Sequence, residues 1–284
     1  MLDHGLIIKP LESINSFSDY SDAFKKGKIY DLQPLRDLSH KFDLVVVDIT
    51  GFEHFPLIVN LLILYFTALA LFKLFLFYFS ERISLFIVSC FLFHPAIFFI
   101  FVEFTSRKHI LSFLFFTLGA LAFLNGYFDK TKYKVKTIVF FILSCLSQPI
   151  NLFAPFIYYL MSKRKIKIKD LISLWPLFLI SLLTGIANLY YFQSKYIESS
   201  GVSRTPTVLN LDNTVFIIGL YVRQMFLPLS YASYYKLYSL LNYVGLMILP
   251  ITLYIGLKLK RELMLMGISC LFFILFIMYA TGFN

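Results

Sequence analysis

Between two long apolar runs the chain carries His94-Pro95 and, a little further on, Val102-Glu103-Phe104-Thr105-Ser106-Arg107-Lys108-His109. The cluster sets a carboxylate, which can accept a proton, beside cations, which can hold an anion. Ionisable side chains at membrane depth cost roughly 2.5–3.5 kcal/mol each on insertion scales, so they persist where they pair, reach an interface or handle a substrate. Glu103 stands one helical turn before Arg107, the i,i+4 spacing at which the two can pair. A salt bridge ending a membrane span accounts for that spacing equally well, and His94 before Pro95 suits a helix end. Elsewhere, Gln148 falls in Ser147-Gln148-Pro149 and Arg223 interrupts the apolar run 215–229.

The elements that must position these groups are membrane helices. The 284 residues are 59% hydrophobic, 19% aromatic and 15% charged, with a mean hydropathy of +0.77, beyond the apolar share of soluble domains. An all-α, polytopic membrane protein is predicted. A net charge of +10 raises the question of nucleic acid, but the basic residues lie in short loops beside apolar runs, where they encode orientation; no nucleic-acid partner is expected. Cys90, Cys145 and Cys270 sit inside apolar runs without metal-ligand spacing and are expected to pack as small hydrophobes. The N-terminus shows no basic region followed by an apolar core, so no cleavable signal peptide is expected.

With about 20 apolar residues needed per crossing, spans are predicted at 55–79, 83–101 and 110–128, the first two joined tightly through Ser80-Glu81-Arg82. Residues 1–54 precede them as a polar, mixed loop segment, and a transmembrane domain is assigned to 55–281. The run 137–161 lies between the lysine-rich loop 129–136 and the basic stretch 163–169, flanks that both favour the cytoplasm. Together with Pro149 this favours two half-length helices that enter and leave by one face, with Gln148 near the tip; a single kinked span is the alternative. Further spans follow at 171–192, 237–257 and 263–279, with 215–229 a partial one whose path stays open. Grouping Arg82, the lysines after Asp129, Lys163–Lys169, Lys258, Lys260 and Arg261 on the cytoplasmic face leaves the N-terminal segment, the 103–108 cluster, the 193–213 loop and the C-terminus outside.

The order of several short stretches resembles the GT-C superfamily of integral-membrane glycosyltransferases, in particular the protein O-mannosyltransferase-like group and its transmembrane-and-tetratricopeptide relatives. Gln33-Pro34-Leu35-Arg36-Asp37-Leu38-Ser39 resembles their Arg-Pro-Leu-x-x-Leu-Ser stretch. His54 through Leu62 is similar to a His-x-x-Asn-x-x-x-His helix start, and Phe93-His94-Pro95 with Glu103 and Ser106 through Leu111 matches best. Leu146-Ser147-Gln148-Pro149 with Pro155 resembles a Leu-Ser-Lys-Pro hairpin, and Leu220-Tyr221-Val222-Arg223 with Leu227-Pro228-Leu229 a later motif. Leu2-Asp3-His4-Gly5 looks like the tail of the superfamily's first acidic loop.

The resemblance implies a GT-C-like bundle with a broken or re-entrant helix pair, and transfer of a sugar from a polyprenyl-phosphate donor to a protein or envelope-glycan acceptor on the non-cytoplasmic side. It makes Asp3 and Glu103 the catalytic carboxylates, and His94, Arg107, Lys108, Gln148 and Arg223 the substrate-binding set, with Arg107, Lys108 and Arg223 as phosphate clamps. Members of the superfamily differ in their use of a divalent metal; Asp3 with His4 is too little to define such a site, and no cofactor is assigned. Relatives carry a helix before the acidic loop, whereas this sequence opens where that helix would end. Gln33 stands where they have arginine and Leu2 where they have a second acid, and no tetratricopeptide region is expected after Asn284. The second expectation, from a different class, is a non-catalytic membrane subunit or degenerate transferase that binds lipid or a partner membrane protein. A multi-pass location follows in either case: the inner membrane for a bacterial chain, otherwise the endoplasmic reticulum.

Overall fold

The computed structural model describes residues 33–93, 97, 106–128, 133–148, 154–161 and 174–200, and every regular element among them is helical. They fall into two compact units, residues 1–152 with 175–202 and residues 153–174 with 203–284. In the first unit the helices are α1 (Pro34–Thr50), α2 (Phe55–Phe75), α3 (Glu81–Leu92), α4 (Arg107–Phe128), α5 (Tyr133–Ser147) and, after an excursion into the second unit, α7 (Trp175–Ser200). Of the second unit, the short helix α6 (Ala154–Met161) is described.

Helix α1 occupies part of the segment expected as a loop. Pro34 opens it, since a first-turn proline gives up no helical hydrogen bond, and Asp37 faces the positive end of the helix dipole. Gly51 closes it in the left-handed conformation, φ 68°, donating its N–H to the Val47 carbonyl at 2.7 Å.

Helix α2 is apolar over most of its length, and its inner side is rich in small side chains. Asn60, Thr67, Ala68, Ala70, Leu71 and Leu74 are buried, while Leu57, Ile58, Leu61, Leu62, Tyr65, Phe66 and Leu69 are exposed. Thr67 returns its hydroxyl to the Ile63 carbonyl at 2.7 Å, so it adds no unpaired donor. The turn 76–80 leads into α3, and Glu81 and Arg82, predicted as link residues, belong to the first turn of that helix. Ala68, Leu71 and Val88 form a small core between α2 and α3, closed by Phe72, Phe75, Phe91 and Phe113.

The broadest packing in the unit is between α4 and α5, followed by α2 on α4; α1 lies against α5, α2 and α4, and α7 against α5. Serines let α4 and α5 approach closely. Ser112 donates to the Ser144 carbonyl at 3.1 Å and Ser144 donates to the Ser112 carbonyl at 2.8 Å. Phe115 stacks on Phe140, so the two helices run antiparallel. Helix α5 stops at Ser147, and the next described helix starts at Ala154. Helix α7 runs through Ser200, well into the stretch 193–213 expected to be a loop. The predicted spans 215–229, 237–257 and 263–279 lie outside the described residues.

Candidate functional site: a buried charge cluster on Arg107

Arg107, the first residue of α4, is fully buried, and its neighbours come from two other helices. Its Nε donates to Asn60 Oδ1 at 2.6 Å, Nη2 to the Pro56 carbonyl at 2.9 Å and Nη1 to the Ser39 carbonyl at 3.3 Å. Nη1 also forms an ion pair with Asp43 Oδ2. The planar fork of arginine suits this work, since each nitrogen faces a different acceptor in a fixed plane. Pro56 and Asn60 stand in the first turns of α2, so α2 and α4 begin side by side and Arg107 joins their N-terminal ends.

Helix α1 supplies the rest of the cluster from one face. Gln33, Arg36, Asp37, His40 and Asp43 are all buried, and their spacing of three and four places them in one stripe. Arg36 grips the neighbouring Asp37, with both Nε and Nη2 at 2.7 Å from Oδ1. His40 Nδ1 lies 4.0 Å from Asp43 Oδ2. Burial pulls the His40 imidazole down to about 4; Asp43 acts in the opposite direction, while the Arg107 and Arg36 guanidinium groups add to the lowering. His40 is therefore neutral near pH 7. Two guanidinium groups and two carboxylates then balance, the arrangement that makes buried charge tolerable.

Of the residues singled out from sequence, the structure brings Arg107, Lys108 and Gln148 to one end of α4. Lys108 is partly exposed beside Arg107. Gln148 is buried just past α5, its carbonyl sharing the Ser112 hydroxyl proton with the Ser144 carbonyl, at 3.2 Å from Ser112 Oγ, and its N–H donating to the Ser144 carbonyl at 3.0 Å. Among the described residues its side-chain oxygen has no hydrogen-bond partner. Asp3, His94, Glu103 and Arg223 lie outside the described residues, and with them the Glu103–Arg107 spacing. The described partners of Arg107 are protein groups. Asp43 and His40 were not singled out from sequence, where the polar stripe of α1, at helical spacing, was the available signal; Asn60 entered only as part of the stretch 54–62. Among the described residues no group of three or more His, Cys, Asp or Glu side chains is placed to hold a metal ion.

The described residues thus define an all-α protein in which α2 and residues Arg107–Gly126 of α4 are long and apolar enough to cross a membrane, with a neutralised charge cluster where both begin. Comparison with protein-family models, curated proteins and solved structures returns no significant match.

Proposed function

We propose that this chain is a polytopic, multi-pass membrane protein with a GT-C-like bundle and a broken helix pair at 137–161, which transfers a sugar from a polyprenyl-phosphate donor to a protein or envelope-glycan acceptor. One observation supports this reading above the others. Three of the stretches that carry the resemblance, far apart in the chain, converge on one buried cluster: Arg36, Asp37 and Ser39 of the first, Asn60 of the second and Arg107 of the third.

In this reading Asp3 or Glu103 accepts the acceptor hydroxyl's proton as its oxygen bonds to the sugar's anomeric carbon, and the carbon–oxygen bond to phosphate breaks with its electrons leaving on the polyprenyl phosphate. Lys108 and Arg223 meet the charge growing on that phosphate. Arg107 keeps α1, α2 and α4 in register through Asp43, the Ser39 and Pro56 carbonyls and Asn60, and Gln148 stands at the end of α5.

A second reading is favoured by one specific observation: the guanidinium of Arg107, the strongest phosphate fork in the cluster, is spent on Asp43, Asn60 and two backbone carbonyls. That suits a non-catalytic subunit that binds lipid or a partner. The two separate in a turnover assay of purified protein in lipid against a panel of polyprenyl-phosphate sugars, comparing wild type with Asp3→Asn, Glu103→Gln and Lys108→Gln. The transferase reading expects wild-type turnover, falling by about 100-fold or more in a carboxylate variant. Folded, lipid-binding protein that is inert against the whole panel overturns it in favour of the subunit.

A further inference from the structure

Helix α1 is amphipathic in the reverse sense. In a water-soluble domain its polar stripe would face solvent and its apolar stripe the core. Here Gln33, Arg36, Asp37, His40 and Asp43 are buried against the other helices, while Leu38, Phe42, Val45 and Ile49 point outward. These four follow one another at helical spacing, directly opposite the polar stripe. Ile49 is 79% exposed, Leu38 66% and Phe42 57%. Such a row does not stop at the end of the helix. Phe42 meets Phe55 with ring centroids 5.9 Å apart, and beyond Phe55 the exposed row continues along α2 through Leu57, Ile58, Leu61 and Leu62.

We propose that α1 is a lipid-embedded helix, with Leu38, Phe42, Val45 and Ile49 set among the acyl chains of the bilayer at the level where α2 and α4 begin. Two observations select lipid over another protein. The apolar row of α1 is continuous with that of α2, a helix long and apolar enough to cross a bilayer, whose exposed side chains are bulky and apolar through Leu57, Ile58, Leu61, Leu62, Tyr65, Phe66 and Leu69. The polar side chains near the end of α1, Asp48, Glu53 and His54, are exposed beside the apolar row and not within it, giving the helix a wet edge of the kind interfacial helices keep. An interfacial helix sits about 5–10 Å into the headgroup and acyl boundary. The buried charges of α1 then face the protein, and the partly exposed Lys41 lies on the same edge of the helix as Asp48. This inference rests on the membrane part of the proposed function and needs no sugar transfer.

The test uses tryptophan as a depth gauge. With the single native tryptophan removed as Trp175→Phe, one tryptophan is introduced at a time, as Phe42→Trp, Ile49→Trp, Asp48→Trp or Leu62→Trp, and the full chain is reconstituted in phosphatidylcholine vesicles with or without lipids brominated high on the acyl chain. The expected result is that tryptophan at 42 and at 49 loses most of its emission to the brominated lipid, whereas tryptophan at 48 keeps it and yields to aqueous acrylamide. Quenching at 42 and 49 by acrylamide alone overturns the proposal. Shielding from both quenchers, with self-association of the protein, overturns it in favour of a second copy on this face. Leu62→Trp reports on the membrane reading itself: if it too escapes the brominated lipid, that reading fails, and if it alone is quenched, only the placement of α1 fails. Inert protein with positions 42 and 49 quenched leaves the inference standing and counts against the transferase.

Discussion

Removing one partner of the Arg107–Asp43 pair leaves the other charge buried without its counterion, and this costs far more than replacing both by apolar groups. Asp43→Ala should lower stability by about 3–5 kcal/mol, read as a large fall in thermal midpoint in detergent. The double variant Asp43→Leu/Arg107→Met should lose clearly less; an equal or larger loss would mean that the pair does not act as a unit. His40 supplies a pH signature at the same site. Its folded value near 4 lies below the ordinary 6.5, so between those values the unfolded chain binds the extra proton. Stability is therefore level above about pH 6.5 and falls as the pH drops toward 4, by an amount on the order of 3 kcal/mol. A midpoint scan over that range should slope for wild type and flatten for His40→Gln. Arg107 itself was legible in the sequence as a charge among apolar runs. Its partners were not, because Ser39 lies 68 residues away and nothing local to either segment encodes that pairing.

The break after Ser147 was readable from local chemistry, and a helix does end there, because a proline at 149 cannot donate and constrains the residue before it. Helix α1 escaped the same scrutiny: its polar residues made the segment resemble a solvated loop, although they recur at helical spacing. A helix whose polar stripe is the buried one carries the usual amphipathic signal in the reverse sense. The boundary between α1 and α2 depends on Gly51, at φ 68° with open space where a Cβ would stand. Substitution there is a backbone effect alone. Gly51→Val should cost about 1–2 kcal/mol, whereas Gly51→Asn, a residue that visits the left-handed region, should cost much less. Thermal midpoints of the two variants check the difference, and a strong loss in both would point to a contact rather than to the turn.

For the molecule as a whole, composition carried most of what was legible: the described residues are all helical, and two of their helices are long and apolar enough to cross a membrane. The path beyond α2 and α4 depends on weaker signals, since α3 has 12 residues and α5 has 15, both shorter than a crossing needs by length alone. The transfer assay and the quenching experiment address this scale from independent sides, one through chemistry and one through depth. Cys90, exposed, and Cys145, buried, are both free thiols. Neither takes part in the charge cluster, so the unit depends on packing and ion pairing for its cohesion.

The meeting of Ser39, Asp43, Pro56 and Asn60 at Arg107 also orders events during synthesis. A ribosome making about 5–20 residues per second delivers Arg107 several seconds after Ser39, and until it arrives the carboxylate of Asp43 has no counterion from α4. For that interval α1 has a finished greasy side and an unfinished polar one. The nascent helix can rest at the bilayer surface by its apolar row while it waits, and the arrival of α4 locks it in place.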